Sequence, residues 1–337
     1  GLPVSRVAAM PEQSRRAVEA MACLGGRAKL SVLEIAIAAP GRVPGVLEPA
    51  LRDGILLMEP GAEDAVRFRH DRIREGVLSG LRPARRAELH LAMARRLATV
   101  PDLFAVAAEQ YLPVADAVTD PGERRAVAGL LRRAADEVTQ IGEFSLVHAL
   151  LTAALTLADR TDTGALIELH TVHHAALFSL GRLEEADEDY RVLEELAATV
   201  LDRPAATALQ VKGLTNRNRF SEAIDLVTRS LRECGIDVPD AERMPAAIDR
   251  QFARLYQWLD HTDPGDDVIR PDLTDPALLA AGSLLNAMLS PVYFVGDQAM
   301  FSWVGLEALR IWTEHGPGHT LVGSAVNAAF HAITQRG

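Results

Sequence analysis

The sequence predicts an almost entirely helical protein that carries one small β-hairpin near its N-terminus. Apolar residues recur with helical spacing over most of the 337 residues, but between Ile55 and His70 the pattern becomes strand-like, with Val66 and Phe68 alternating with charged residues. A short sequence unit also recurs in the middle of the chain, which is typical of helical repeats. These observations divide the chain into three predicted segments, 1–80, 81–260 and 261–337.

The first segment, 1–80, has three short helical patterns followed by a strand-like pair. Each helical pattern ends at a glycine or proline, and the two strands flank a turn that contains proline and glycine. Three helices followed by a hairpin form a winged helix, so we predict a winged-helix module in residues 1–80. The helices end at Gly25, Pro40 and Gly54, and the strands are Ile55–Met58 and Ala65–His70.

The second segment, 81–260, contains the repeat. Gly181–Ala186 (GRLEEA) recurs as Asn218–Ala223 (NRFSEA) 37 residues later, close to the ~34 residues of a tetratricopeptide repeat. The glycine or asparagine supplies a left-handed turn between helices A and B, and the small alanine lets the two helices approach closely. A weaker copy begins at Gly142. We therefore predict a tetratricopeptide-like α-solenoid, which makes the fold class all-α.

The third segment, 261–337, is predicted to continue the helical repeats after a loop at His261–Asp275, which is rich in proline and aspartate. Ala277–Val295 carries no charge and approaches the ~20 residues of a membrane span. Asn286 and Pro291 interrupt it, so we expect a buried repeat helix and no membrane partner. The chain opens without a methionine or a charged and apolar leader, which suggests a piece cut from a longer protein.

The net charge and the cysteine content indicate which class of partner and which cellular compartment to expect. The formal net charge of −11 makes nucleic acid an unlikely main partner, because phosphate binding depends on clustered cations. The two cysteines, Cys23 and Cys234, lie inside apolar helical patterns. Buried thiols without a bridge suit a reducing compartment, so we expect a cytoplasmic protein.

Motifs for catalysis are missing from the sequence. It contains no phosphate-binding G-x-x-x-x-G-K-[ST], no G-x-S-x-G, no H-E-x-x-H and no paired C-x-x-C. An enzyme that uses an acid pair such as Glu184 and Glu188 is a further alternative, but adjacent acids on a helix more often form a solvated face. We therefore predict no enzymatic activity and no cofactor for this chain.

A group of histidines is the clearest candidate site. His170, His173 and His174 share one helical face, but no cysteine or aspartate nearby in the sequence completes a metal site, so we predict no bound metal. Polar side chains on helix A cost desolvation without helping the core. We predict that these histidines, with Asn216 and Asn218, border a groove for a partner. The alternative is that the histidines are core residues of the repeat.

Five short segments of the sequence resemble those of a known protein family. The chain is similar to the segment that follows the nucleotide-binding core in bacterial signal-transducing ATPases of the STAND class, which are fused to sensor kinases, phosphatases, cyclases or LuxR-type regulators. The matching phrases are Leu47–Leu57, Phe68–Glu75 (FRHDRIRE), Arg85–Leu97, Arg219–Ala223 (RFSEA) and Leu231–Pro239 (LRECGIDVP).

The resemblance implies a regulatory role without catalysis. In the family a winged helix packs on an ATPase core, which here would lie upstream of Gly1, and the histidine that corresponds to His70 senses the phosphates of the bound nucleotide. From its position alone, His70 is a capping or packing residue. The helical repeats of the family receive a protein or small-molecule effector. This chain lacks the ATPase core, so we expect no hydrolysis by the chain itself.

The alternative function is a DNA-binding winged-helix transcriptional regulator with a helical sensor domain. Such a regulator needs a cationic recognition helix in the third helical position. Residues 43–53 supply only Arg52 there, and Glu48 and Asp53 oppose it. The sequence therefore favours the regulatory segment over the DNA-binding regulator.

Overall fold

A computed structural model of the chain describes residues 6–59, 61, 64–263 and 269–326. The chain forms two compact units, Gly1–Arg160 and Thr161–Gly337, and each is described by itself. This division follows compactness, so the three segments drawn from the sequence pattern stay a prediction. The described residues are mostly helical with one small sheet, which is consistent with the predicted all-α class.

The sheet of the first unit has three antiparallel strands in the order β1-β3-β2. Val66 in the central strand lies opposite Ala28 on one side and Met58 on the other. The predicted hairpin is present as β2 and β3, whereas β1 was not predicted because three residues are too few to show an alternating pattern. The strands are β1 (Arg27–Lys29), β2 (Leu56–Glu59) and β3 (Ala65–Phe68).

One apolar core joins this sheet to the helices between Glu12 and Tyr111 in the first unit. Met21, Leu33 and Leu47, from the first three helices, are fully buried with Val66 of the sheet and with Met93. Their spacing along each helix places one apolar stripe against the core. The helices are α1 (Glu12–Cys23), α2 (Leu30–Ala36), α3 (Val43–Arg52), α4 (Asp71–Gly80), α5 (Pro83–Leu97), α6 (Phe104–Tyr111), α7 (Pro121–Gln140) and α8 (Phe144–Leu157).

The second unit is built from antiparallel helix pairs, and the predicted turns are present. Gly181 joins α9 to α10 with a φ of +73°, and Asn218 joins α11 to α12 with a φ of +59°. This left-handed conformation favours glycine and asparagine, which explains the recurring residue type. The helices of these pairs are α9 (Thr163–Ser179), α10 (Leu183–Leu196), α11 (Pro204–Asn216) and α12 (Phe220–Glu233).

A third pair follows in the second unit after an extra helix. Helix α14 packs against both α11 and α12, which is the place of the next helix A, and Gly296, with a φ of +81°, joins it to α15. The extra helix α13 packs against α15. The described part of the predicted loop, 262–263 and 269–275, contains no helix. The helices are α13 (Met244–His261), α14 (Pro276–Val295) and α15 (Gln298–His315).

Helix α14 is the apolar stretch noted in the sequence. Among the described residues it is the one helix whose length and composition would allow it to cross a membrane, with a mean hydropathy of 1.6. In the second unit its Leu284, Leu285 and Met288 are fully buried against the neighbouring helices. Asn286 lies on the opposite, exposed face. The helix therefore contributes one face to the core of this unit.

Candidate functional sites in the second unit

Two of the predicted histidines meet an aspartate that the sequence analysis missed. Helix α9 carries His170 and His173 one turn apart, and both face Asp189 on α10. The Nδ1 atom of His170 lies 2.7 Å from Oδ1 of Asp189, and the Nδ1 atom of His173 lies 3.2 Å from the same oxygen. The three side chains are only 16%, 11% and 8% exposed. They form the histidine–aspartate cluster of the second unit.

The carboxylate of Asp189 is held in its charged form. Burial raises the pKa of this carboxyl, but the hydrogen bonds and charges of His170 and His173 outweigh burial, so the pKa lies below its usual range. Its second oxygen, Oδ2, is buried and has no hydrogen-bond partner among the described residues. Asp189 directly precedes Tyr190 and lies three residues after Ala186 on the apolar face of its helix. An acidic residue on the apolar face of a helix is the sequence feature that could have identified Asp189 as a site residue.

His174 lies in the core rather than at the surface. Its side chain is fully buried, its Nε2 atom lies 3.0 Å from Oε1 of Gln210, and its ring packs 5.7 Å from the ring of Tyr190. Burial lowers the pKa of His174, and the hydrogen bond to Gln210 offsets this only in part. The predicted contact of His174 with a partner stays a prediction, and it requires these helices to separate.

Asp187 joins the first helix pair of the second unit to the second pair. Gln210 Nε2 donates to its Oδ1 at 2.6 Å, and Arg217 donates one hydrogen bond to each carboxylate oxygen at 2.7 Å. Arg219 donates a further bond to Oδ2 at 3.0 Å. Burial raises the pKa of Asp187, but these partners lower it by more, so the net shift is downward. The acid is therefore a charged link between consecutive pairs.

A groove lies between α11 and α14, the A helices of the second and third pairs. It encloses a cavity of about 600 Å³ and contains Asn216, one of the predicted partner-binding residues. Asn218 and the three histidines are not among the residues that line it. The lining combines an ammonium group, an imidazole, amides, hydroxyls and an aromatic ring, from Lys212, His319, Asn216, Asn286, Ser283, Ser290 and Phe294.

The repeat register explains why the histidines and the groove face different directions. With an offset of 37 residues, His170, His173 and His174 correspond to Thr207, Gln210 and Val211, and the latter three are buried. The groove positions of the same helix A are Lys212 and Asn216, both of which are exposed. The histidines therefore occupy the face that packs inside the unit. A comparison of burial along helix A would have separated these two faces.

His70 in the first unit lies at the junction that the sequence predicted. It occupies the position directly before α4, its backbone is extended, and its exposed side chain makes no capping hydrogen bond. Arg69 and Arg72 beside it are also exposed. On α3 the guanidinium of Arg52 pairs with Glu48 one turn earlier. The imidazole of His70 is therefore accessible to solvent at the start of a helix.

The fold described above defines a protein of antiparallel helix pairs with a small three-stranded sheet. No protein-family model matches the chain, and no curated protein matches it. Among solved structures, the chain is similar to a Signal Transduction ATPase with Numerous Domains, or STAND protein, with a tetratricopeptide repeat sensor from Pyrococcus horikoshii. The identity is 13%, the TM-score is 0.29, and the alignment covers 98% of this chain. It covers 55% of that protein, so this chain spans about half its length.

Proposed function

We propose that the chain is a non-catalytic regulatory and protein-interaction segment of a larger cytosolic signal-transducing ATPase of the STAND class. In this proposal the first unit begins with a winged helix that relays the nucleotide state of an upstream ATPase domain. The second unit binds an effector or a partner protein. The observation that carries the proposal is the polar groove between α11 and α14, because it lies between two A helices, where helical repeats receive their ligands.

The chemistry of the groove defines the kind of effector that fits it. A volume of about 600 Å³ lies within the ~300–1,000 Å³ of small-molecule sites. The ammonium of Lys212 favours an acidic group on the effector, and the amides of Asn216 and Asn286 supply both donors and acceptors. Phe294 offers an apolar surface at one end. We infer an effector or peptide with an acidic group and a short apolar part.

The first unit supports the relay part of the proposal. Three short helices and an antiparallel sheet in the order β1-β3-β2 support the proposed winged helix. His70 is exposed between Arg69 and Arg72, so this junction presents cations and an unused imidazole that suit a phosphate. For the DNA-binding alternative, the pairing of Arg52 with Glu48 leaves α3 without a free cation at that position.

Site-directed labelling of the groove tests the proposal. Cys23 and Cys234 are buried, and burial raises the pKa of each thiol to about 11, so neither reacts readily with a maleimide. A Ser290→Cys variant of the full-length protein places the one accessible thiol of this chain in the groove wall, and the labelled unchanged protein accounts for any thiols in other domains. A Glu195→Cys variant provides the control, because Glu195 is exposed on α10 and does not line the groove. Each variant is labelled with a bulky maleimide, and nucleotide hydrolysis is measured.

The label at Ser290 should mimic or block the effector and change the hydrolysis rate. Coupling between two sites is typically fivefold to 150-fold, so we expect a change of at least about fivefold for Ser290→Cys. The labelled Glu195→Cys variant should hydrolyse nucleotide at the unlabelled rate. If the two labelled variants hydrolyse nucleotide at equal rates, the groove does not regulate hydrolysis and the proposal is wrong.

A further inference from the structure

We propose that His170, His173 and Asp189 form a binding site for a divalent transition-metal ion, with Zn²⁺ as the expected ion. The sequence predicted no metal because no cysteine or aspartate near the histidines along the chain completes a ligand set. The fold supplies that acid from the partner helix, since α10 runs antiparallel to α9 and brings Asp189 to the two imidazoles.

The geometry suits a small ion with nitrogen and oxygen ligands. Zinc binds histidine nitrogen and carboxylate oxygen at about 2.0–2.2 Å, which separates tetrahedral ligand atoms by about 3.3 Å. The two Nδ1 atoms lie 2.7 and 3.2 Å from Oδ1 of Asp189, and the three ligand atoms all lie within 4.8 Å of one another. Small side-chain rotations therefore bring all three atoms to bonding distance.

The charge balance of the second unit points to a cation at this site. Asp187, which is more exposed, receives hydrogen bonds from two arginines. Asp189 is only 8% exposed, and its described ion pairs are with His170 and His173 alone. Its Oδ2 atom is buried without a hydrogen-bond partner among the described residues. A buried carboxylate that lacks a strong cation is costly, and a divalent ion would neutralise it.

The ligand types select the class of metal. Two imidazoles and one carboxylate suit zinc and its neighbours, whereas magnesium and calcium prefer sites made of oxygen alone. Three protein ligands leave a fourth position for water or for a group from another molecule. His170 is the most exposed of the three side chains, at 16%, so that position lies on its side of the cluster.

Calorimetry with the whole chain tests the site. The chain is purified without a histidine tag, treated with a chelator and titrated with ZnCl2, and CoCl2 is added to a second sample to record its visible spectrum. We expect one zinc ion per chain, a four-coordinate cobalt spectrum and no heat from MgCl2. Because loss of outer contacts alone weakens metal sites by ~10–100-fold, His170→Gln and Asp189→Asn should weaken zinc by at least about a hundredfold. His315→Gln, on the exposed histidine of α15, should leave the affinity unchanged.

Chemical labelling of the unchanged chain covers the case in which a variant fails to fold. Diethyl pyrocarbonate modifies accessible histidines, and mass spectrometry locates each modified residue. Zinc should slow the modification of His170, the more exposed of the two ligands, and leave His315 unaffected. A chain that binds no zinc, binds it equally well in His170→Gln, or shows no protection of His170 would overturn the proposal. In that outcome His170 and His173 hold the Asp189 carboxylate through polar contacts within the second unit, without a metal ion.

Discussion

Replacing Asp187 with alanine should destabilise the second unit measurably. The change removes the acceptor of four hydrogen bonds, from Gln210, Arg217 and Arg219. Arg217 is the main loss, because its side chain is only 19% exposed and both of its bonds to the carboxylate disappear. Arg219 is 39% exposed and keeps Glu222 as a partner, so it adds little.

The magnitude follows from this difference in exposure. A hydrogen bond to a charged group contributes about 1.5–3 kcal/mol, and partial access of water to Arg217 places the Asp187→Ala cost near 2 kcal/mol. For a domain of about this size, that cost lowers the melting temperature by roughly 4–8 °C. The ion pair between Arg182 and Glu185 supplies the control. Both of its side chains are more exposed than Arg217 and Asp187, at 40% and 50%. Glu185→Ala should cost no more than about 0.5 kcal/mol.

Differential scanning calorimetry at neutral pH, and again in acid, measures the effect. The folded-state pKa of Asp187 is lowered, so its stabilisation is present above the unfolded pKa of about 4 and is lost as pH falls through the folded pKa. The gap between the natural chain and Asp187→Ala should therefore narrow in strong acid. If Asp187→Ala and Glu185→Ala melt together at neutral pH, Asp187 does not link the helix pairs.

Three further changes test other parts of the structure. Asn218→Val should cost about 1–2 kcal/mol because φ is +59°, whereas Asn218→Gly should be nearly neutral in thermal melts; equal melting would refute the turn argument. Burial lowers the pKa of His174, so the unfolded state binds more protons just below pH ~6.5 and acid destabilises the fold. Compared with the natural chain, His174→Gln should lose less stability between pH 7 and 5, and identical pH profiles would contradict this. Gly316→Ala should melt lower by several degrees, because a Cβ there would lie 2.4 Å from the carbonyl oxygen of Pro271 and φ is +108°; an unchanged melt would show that this approach is not tight.

The turns of the helix pairs were predictable from the sequence because their chemistry is local. A left-handed residue needs glycine or asparagine, and the apolar residue that begins helix B follows two positions later. Gly142 begins a weaker copy of the repeat unit in the sequence, yet it forms the same turn, with a φ of +77°, between α7 and α8. The left-handed turn is therefore present even where the other residues of the repeat unit differ.

The pairings within the polar clusters were not predictable because the partners are far apart in the chain, although the position of Asp189 on an apolar helix face marks it as unusual. His170 and Asp189 are 19 residues apart, and Asp187 and Arg217 are 30 apart, so no local pattern reports either contact. The groove was not predictable either, because an insertion interrupts the repeat pattern between the helices that form it. Helix α13 and the following loop separate α12 from α14, so the repeat offset fails at the point where the third pair begins.

Calorimetric titration with magnesium ATP tests the central claim, that this chain regulates nucleotide chemistry without performing it. No phosphate-binding glycine loop occurs in the sequence, and a single histidine at the start of α4 cannot replace the several backbone donors that hold a triphosphate. If the proposal holds, the full-length protein binds ATP and the isolated chain gives no heat of binding. Micromolar binding of ATP by the isolated chain would contradict the account.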